Sequence, residues 1–99
     1  MFYELLEKGI KQRCTLYGIS NLDDLNTFLI GYSIPMDYYN ILDKEYEDFF
    51  KNFSDWLKKT KKYDTSRSWI FAIKTQSNDP STALTLFFEL FVEFKNRNI

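Results

Sequence analysis

Asp43-Lys44-Glu45-Tyr46-Glu47-Asp48-Phe49-Phe50-Lys51-Asn52-Phe53-Ser54-Asp55-Trp56-Leu57 is the stretch that decides the fold. Tyr46, Phe49, Phe50, Phe53, Trp56 and Leu57 recur at i, i+3, i+4, i+7, i+10 and i+11, the spacing of one face of an α-helix. Asp43 stands where an N-cap belongs. Lys58, Lys59, Lys61 and Lys62 follow at the end, where cations suit the helix macrodipole. The pattern predicts a long amphipathic helix over 43–62. Such a helix has an aromatic stripe to bury and needs partners of the same kind.

The rest of the chain supplies them. Residues 2–13 place Phe2, Leu5, Leu6 and Ile10 on one stripe, with Glu4–Lys8 and Glu7–Lys11 paired at i,i+4 on the wet side. Gly9 weakens that helix. Residues 14–20 read as a connector in which Gly18 permits a left-handed turn. A second helix is expected over 21–33, capped by Ser20 or Asn21, with Asp23 and Asp24 in its first turn and Leu22, Leu25, Phe28, Leu29 and Tyr32 as its stripe. Pro35 is expected to interrupt it, leaving a short helix or turn over 36–42 that carries Met36, Tyr39 and Leu42.

Residues 66–75 read two ways. Trp69, Phe71 and Ile73 alternate like a strand, whereas Trp69, Ile70 and Ile73 share a helical face. Helix is favoured, since no other segment offers a strand partner. Asn78-Asp79-Pro80 is a cap followed by an N1 proline. The closing helix, 80–97, is apolar nearly all round from Ala83 to Phe94 and is expected at the centre. No repeat, low-complexity tract or linker breaks residues 1–99. The expectation is one all-α domain, a compact bundle of about five helices.

Composition narrows the chemistry. Ten Phe, seven Tyr and two Trp stand beside a single Cys and no His. Each buried ring removes about 150–250 Å² from water, and a chain of this length buries about 65% of its unfolded surface. Without His and with only Cys14, neither a metal site nor an activated cysteine nucleophile is expected, and Cys14 reads as a packing residue. Gly9, Gly18 and Gly31 form no phosphate loop. Glu47–Lys51, Lys44–Asp48 and Asp55–Lys59 fall at i,i+4 on the wet side of the long helix, so a salt-bridged face accounts for those carboxylates better than a catalytic pair does. The basic run Lys58 to Lys62 reads as a solvated helix end. No catalysis and no cofactor are expected.

Net charge is −1 but unevenly placed. Residues 23–48 hold seven acids and one base, a net of −6, and residues 49–74 hold seven bases and two acids, a net of +5. Such polarity steers a charged partner and is unlike the basic balance of a nucleic-acid binder. Tyr38-Tyr39 adds the residue type most favoured at protein interfaces, although half-buried lids over the core would also use it. No apolar run reaches 18 residues, so no membrane span is expected. Met1-Phe2-Tyr3-Glu4 is unlike a secretory signal, and the lone Cys14 has no disulfide partner. A cytoplasmic location is therefore expected.

Five segments, in order, resemble a family of small bacterial proteins. Leu5 to Gly18 resembles their opening helix and its exit, usually a pattern like Arg-Pro-Gly-Met-Tyr-Leu-Gly. Phe28-Leu29-Ile30-Gly31-Tyr32 matches a helix ending in Gly-Tyr. Phe50, Phe53 and Trp56 match an F-x-x-F-x-x-W helix, and Ser66, Ser68 and Trp69 match a Ser-x-Ser-Trp. Ala83-Leu84 and Phe87-Phe88-Glu89-Leu90 match the closing helix. The chain departs at Cys14-Thr15, where the family carries Pro-Gly. The family resembled is that of immunity proteins of polymorphic-toxin and contact-dependent growth inhibition systems. The resemblance implies a cytoplasmic protein that binds one cognate toxin domain, one to one, and blocks it. Toxins of this kind are often nucleases with a basic cleft, which an acidic face would complement. On that basis Asp37, Tyr38, Tyr39, Asp43, Glu47 and Asp48 are the expected toxin-binding residues. The alternative is a helical adaptor for some other protein.

Overall fold

The aromatic stripe does become the centre of the molecule. In the computed structural model, which describes residues 2–12, 14 and 17–97, five helices and no strand are found among the described residues. Helix α1 is α-helical at Phe2–Glu4 and π-helical over Leu5–Ile10; α2 is Leu22–Tyr38; α3 is Lys44–Trp56, continued as π-helix over Leu57–Lys61; α4 is Trp69–Lys74; α5 is Pro80–Lys95. The segment 66–75 is thus helical at its centre. Arg13, Thr15 and Leu16, which belong to the expected first helix and its connector, lie outside the described residues.

Phe49, Phe53 and Leu57 are fully buried along α3, at i, i+4 and i+8. Phe49 and Phe53 stack with ring centroids 4.8 Å apart. Around them, Phe2 of α1 lies 5.6 Å from Phe49, Trp69 of α4 lies 5.4 Å from Phe53, and Phe94 of α5 lies 5.3 Å from Phe53. Most of these contacts are edge-on or tilted, the geometry that the ring quadrupole favours. As expected, α5 is central: Ala83, Leu84, Phe87, Phe88, Leu90, Phe91 and Phe94 are all buried. Phe50 departs from the expected stripe. It is 45% exposed and touches Tyr46 at 4.5 Å on the rim.

Four helices begin at a side-chain cap. Asn21, Asp43, Ser68 and Asp79 accept from the backbone N–H of Asp24, of Glu45 and Tyr46, of Phe71, and of Ser81 respectively. Asp24 returns the favour at α2, accepting from Ser20 N at 3.0 Å. Gly18 takes the expected left-handed conformation, at φ +72°.

Three expectations need correction. Pro35 does not interrupt α2, which runs through it to Tyr38. Gly31 and Pro35 are both exposed, so the carbonyl left without a donor faces water, and buried Met36 anchors the last turn to the core. There is consequently no separate helix over 36–42, and Leu42 is exposed. Thirdly, Glu7 pairs with Lys95 of α5 instead of Lys11, because the π-helical stretch bonds i to i+5, as Lys11 N to Leu6 O shows at 3.0 Å, and shifts the register.

Phe53→Ala should lower the unfolding free energy by about 3–5 kcal/mol. Phe50→Ala should lower it by about 1 kcal/mol or less. Urea titrations of the two variants check this; equal losses would mean that α3 does not present the face described.

Candidate functional site

The six expected toxin-binding residues follow one another around the corner between α2 and α3. Asp37 and Tyr38 lie in the last turn of α2, Tyr39 closes it, Asp43 caps α3, and Glu47 and Asp48 stand in its first two turns. The corner is built by backbone hydrogen bonds. Ile41 N donates to Met36 O at 2.9 Å and Asn40 N to Asp37 O at 3.4 Å, with Asn40 at φ +53°. That is a Schellman closure with Asn in the left-handed position usually held by Gly.

Inside the corner, Asp43 is 8% exposed. Its Oδ1 accepts from Glu45 N at 3.1 Å and Tyr46 N at 3.2 Å, and its Oδ2 accepts from the Tyr32 hydroxyl at 3.2 Å. One carboxylate therefore caps α3 and ties it to α2. Burial, and then the charge and hydrogen bond of Asp43, push the Tyr32 hydroxyl up to about 12.

Asp48 is also engaged inward. Its Oδ1 accepts from Arg97 Nη2 at 2.6 Å and from Asn52 Nδ2 at 2.8 Å, and its Oδ2 accepts from the Tyr3 hydroxyl. Burial pushes its carboxyl up, but the hydrogen bonds from Arg97, Tyr3 and Asn52 together outweigh that and hold it below the ordinary carboxylate range. Arg97 lies over the Phe94 ring at 3.7 Å. Asp48 thus joins α1, α3 and the end of α5. It does not turn to Lys44, as helical spacing suggested, whereas the Asp55–Lys59 pair forms as expected at 3.0 Å.

The other four residues face water. Tyr38 and Tyr39 are 79% and 69% exposed, their rings meeting edge-on at 5.0 Å. Asp37 and Glu47 are exposed on either side of the loop. The structure therefore brings together an exposed set (Asp37, Tyr38, Tyr39, Glu47) and a buttressing set (Asp43, Asp48). It adds residues that the sequence reading passed over. Ile30 and Ile34 on α2, and Ile41 and Leu42 in the loop, are all at least half exposed. The available signal was phase, since Ile30 and Ile34 fall off the Leu22–Leu25–Leu29 stripe.

Elsewhere the surface holds less chemistry. A depression of about 310 Å³ lies between the starts of α2 and α5, but Asn21 and Asp79 are occupied as caps and Lys74 is paired with Asp23 at 2.6 Å. In the basic half, Lys61 pairs with Glu93 at 2.6 Å, and Arg67 stacks on Phe71 at 4.0 Å. Cys14 is half-buried and its thiol donates to Ile10 O; burial raises its pKa, away from reactivity. Among the described residues, no cluster of three or more His, Cys, Asp or Glu could hold a metal ion, and no helix is long and apolar enough to cross a membrane.

No protein family, curated protein or solved structure matches the chain.

The raised pKa of Tyr32 has a measurable consequence. A group whose folded pKa lies above its unfolded value lends stability that is complete below the unfolded pKa and is lost as pH rises through the folded one. For Tyr32 that window runs from pH 10.0 to about 12. Chemical denaturation at pH 9 to 12 should show wild-type stability falling more steeply than that of Tyr32→Phe. Parallel curves would show that neither the burial of the Tyr32 hydroxyl nor its contact with Asp43 persists in solution.

Proposed function

We propose that this chain is an immunity protein. It binds a cognate bacterial toxin domain, a nuclease of a contact-dependent growth inhibition system, one to one in the cytoplasm, and neutralises it by covering the active site. It acts by occupancy, without catalysis or cofactor. The observation that carries the reading is the exposed, acid-flanked tyrosine pair at the α2–α3 corner. Tyr38 and Tyr39 supply large contact area at low conformational cost, and Asp37 and Glu47 flank them with negative charge. A nuclease cleft is basic because it receives phosphate, so an acidic surface is complementary to it and accelerates encounter. The ordered resemblance to immunity proteins supports the same reading.

The buttressing acids have a different part in it. Asp43 holds the corner's shape and Asp48 ties α1 and the end of α5 to α3, so reversing their charge would disturb the fold itself. Asp37 and Glu47 are the acids available to a partner. A helical adaptor for a non-toxin protein is the second reading, and the exposed apolar residues of α2 serve it equally well.

Purification from the source bacterium with this chain as bait, read by mass spectrometry, separates the two. The expected result is one-to-one recovery of the C-terminal fragment of a large secreted or surface protein. Asp37→Lys/Glu47→Lys should bind that fragment at least about tenfold more weakly, chiefly through slower association, with the melting temperature unchanged. Recovery of housekeeping proteins alone, with toxin expression confirmed, would leave the adaptor reading in its place.

A further inference from the structure

Helix α2 carries Gly31 and Pro35 in its interior, the two residue types least suited to that place. Neither is demanded by its surroundings. A Cβ at Gly31 would meet nothing within 4 Å among the described residues, and both residues are exposed. They act on one point of the backbone. Pro35 has no N–H to give the Gly31 carbonyl, and its ring crowds that carbonyl. It also disfavours helical backbone at Ile34. Close by, Ser33 Oγ donates to Ile30 O at 2.6 Å, a side-chain bond that competes with the backbone ladder.

The helix changes character at the same point. Before it, Leu22, Leu25 and Leu29 are buried; after it, Met36 alone is. Asp37, Tyr38, Tyr39 and Asn40 are exposed. The Schellman bonds, Ile41 N to Met36 O and Asn40 N to Asp37 O, close the last turn on itself. A missing ladder bond, exposed backbone bonds and a single buried side chain are the marks of a segment that opens apart from the core.

We infer that Gly31–Pro35 is a built-in weak point of α2, at which residues 36–41 unwind and rewind as one unit while the rest of the bundle stays folded. The closed state is held by Met36 in the core and by the Tyr32 hydroxyl on Asp43 at 3.2 Å. Helix stability given up with no return in packing points to function. The unit carries Asp37, Tyr38 and Tyr39, so its opening lets the tyrosine pair take up the shape of a partner's surface. That use rests on the proposed function, in taking the corner as the surface that meets a partner; the opening itself does not.

Amide hydrogen exchange on the free protein, read residue by residue by NMR, is the test. The amides of residues 36–41 should share one protection factor, at least about a hundredfold below that of Leu25 to Leu29. Simple fraying would instead give protection that falls step by step toward Asn40. Gly31→Ala/Pro35→Ala restores the missing donor and two good helix formers. It should raise protection over 36–41 at least about tenfold and the melting temperature by about 4 °C or more. Graded protection, protection over 36–41 equal to that of Leu25 to Leu29, or a double variant that leaves 36–41 unchanged or melts lower would each overturn the inference. The same measurement on the complex with a captured partner keeps the two claims apart. Slowed exchange at 36–41 is expected. Unslowed exchange there would leave the weak point in place and overturn its use in binding, along with the corner as the contact surface.

Discussion

Everything in this molecule leans on the stacked pair Phe49–Phe53. Rings from α1, α4 and α5 close on that pair, so one turn of α3 contacts three of the four other helices. The rest of the architecture secures the geometry this requires. Ser68 starts α4 where Trp69 can reach both phenylalanines. Asp48 draws Tyr3 and Arg97 together and so holds the two ends of the described chain against α3. The aromatic content is therefore structural in the main, and the few rings left outside stand apart as candidates for recognition.

Much of this was legible from residue spacing. The periodicities of α3 and α5 are strong enough to fix both helices to within a residue or two, and the caps Asn21, Asp43 and Asp79 stand where short polar side chains precede apolar runs. What spacing does not carry is the third dimension. The cost of Pro35 depends on whether the orphaned carbonyl of Gly31 faces water or core. Glu7 and Asp48 choose partners on other helices because half-buried cross-helix bonds outcompete exposed pairs along one helix. The candidate site was legible as a region and not as a surface. Seven acids in a short stretch are visible in one dimension, but the consumption of Asp43 and Asp48 by capping and bracing appears only when Tyr32, Tyr3 and Arg97 are placed beside them. Ile30 and Ile34 were passed over for the opposite reason, since an apolar residue in a helix is read as core by default.

Several of the residues on which the expected resemblance rests have plain structural roles. Phe53 is a core ring, half-buried Trp69 packs against it, Ser68 is a cap, and Tyr32 donates to the buried Asp43. They describe how the bundle is held together. The residues that face outward from α2 and its loop lie largely between those positions. Packing and display thus draw on nearly separate sets of side chains within the same few turns.

That separation follows from the closure at Asn40. Its turn is made by main-chain hydrogen bonds, and the corner beneath is braced by a carboxylate from inside. The side chains displayed above it are consequently under little obligation to the core. A lineage could exchange them repeatedly, acquiring new discrimination at each step while the scaffold stays as stable as before. Drift in what such a surface recognises would then outpace drift in its shape.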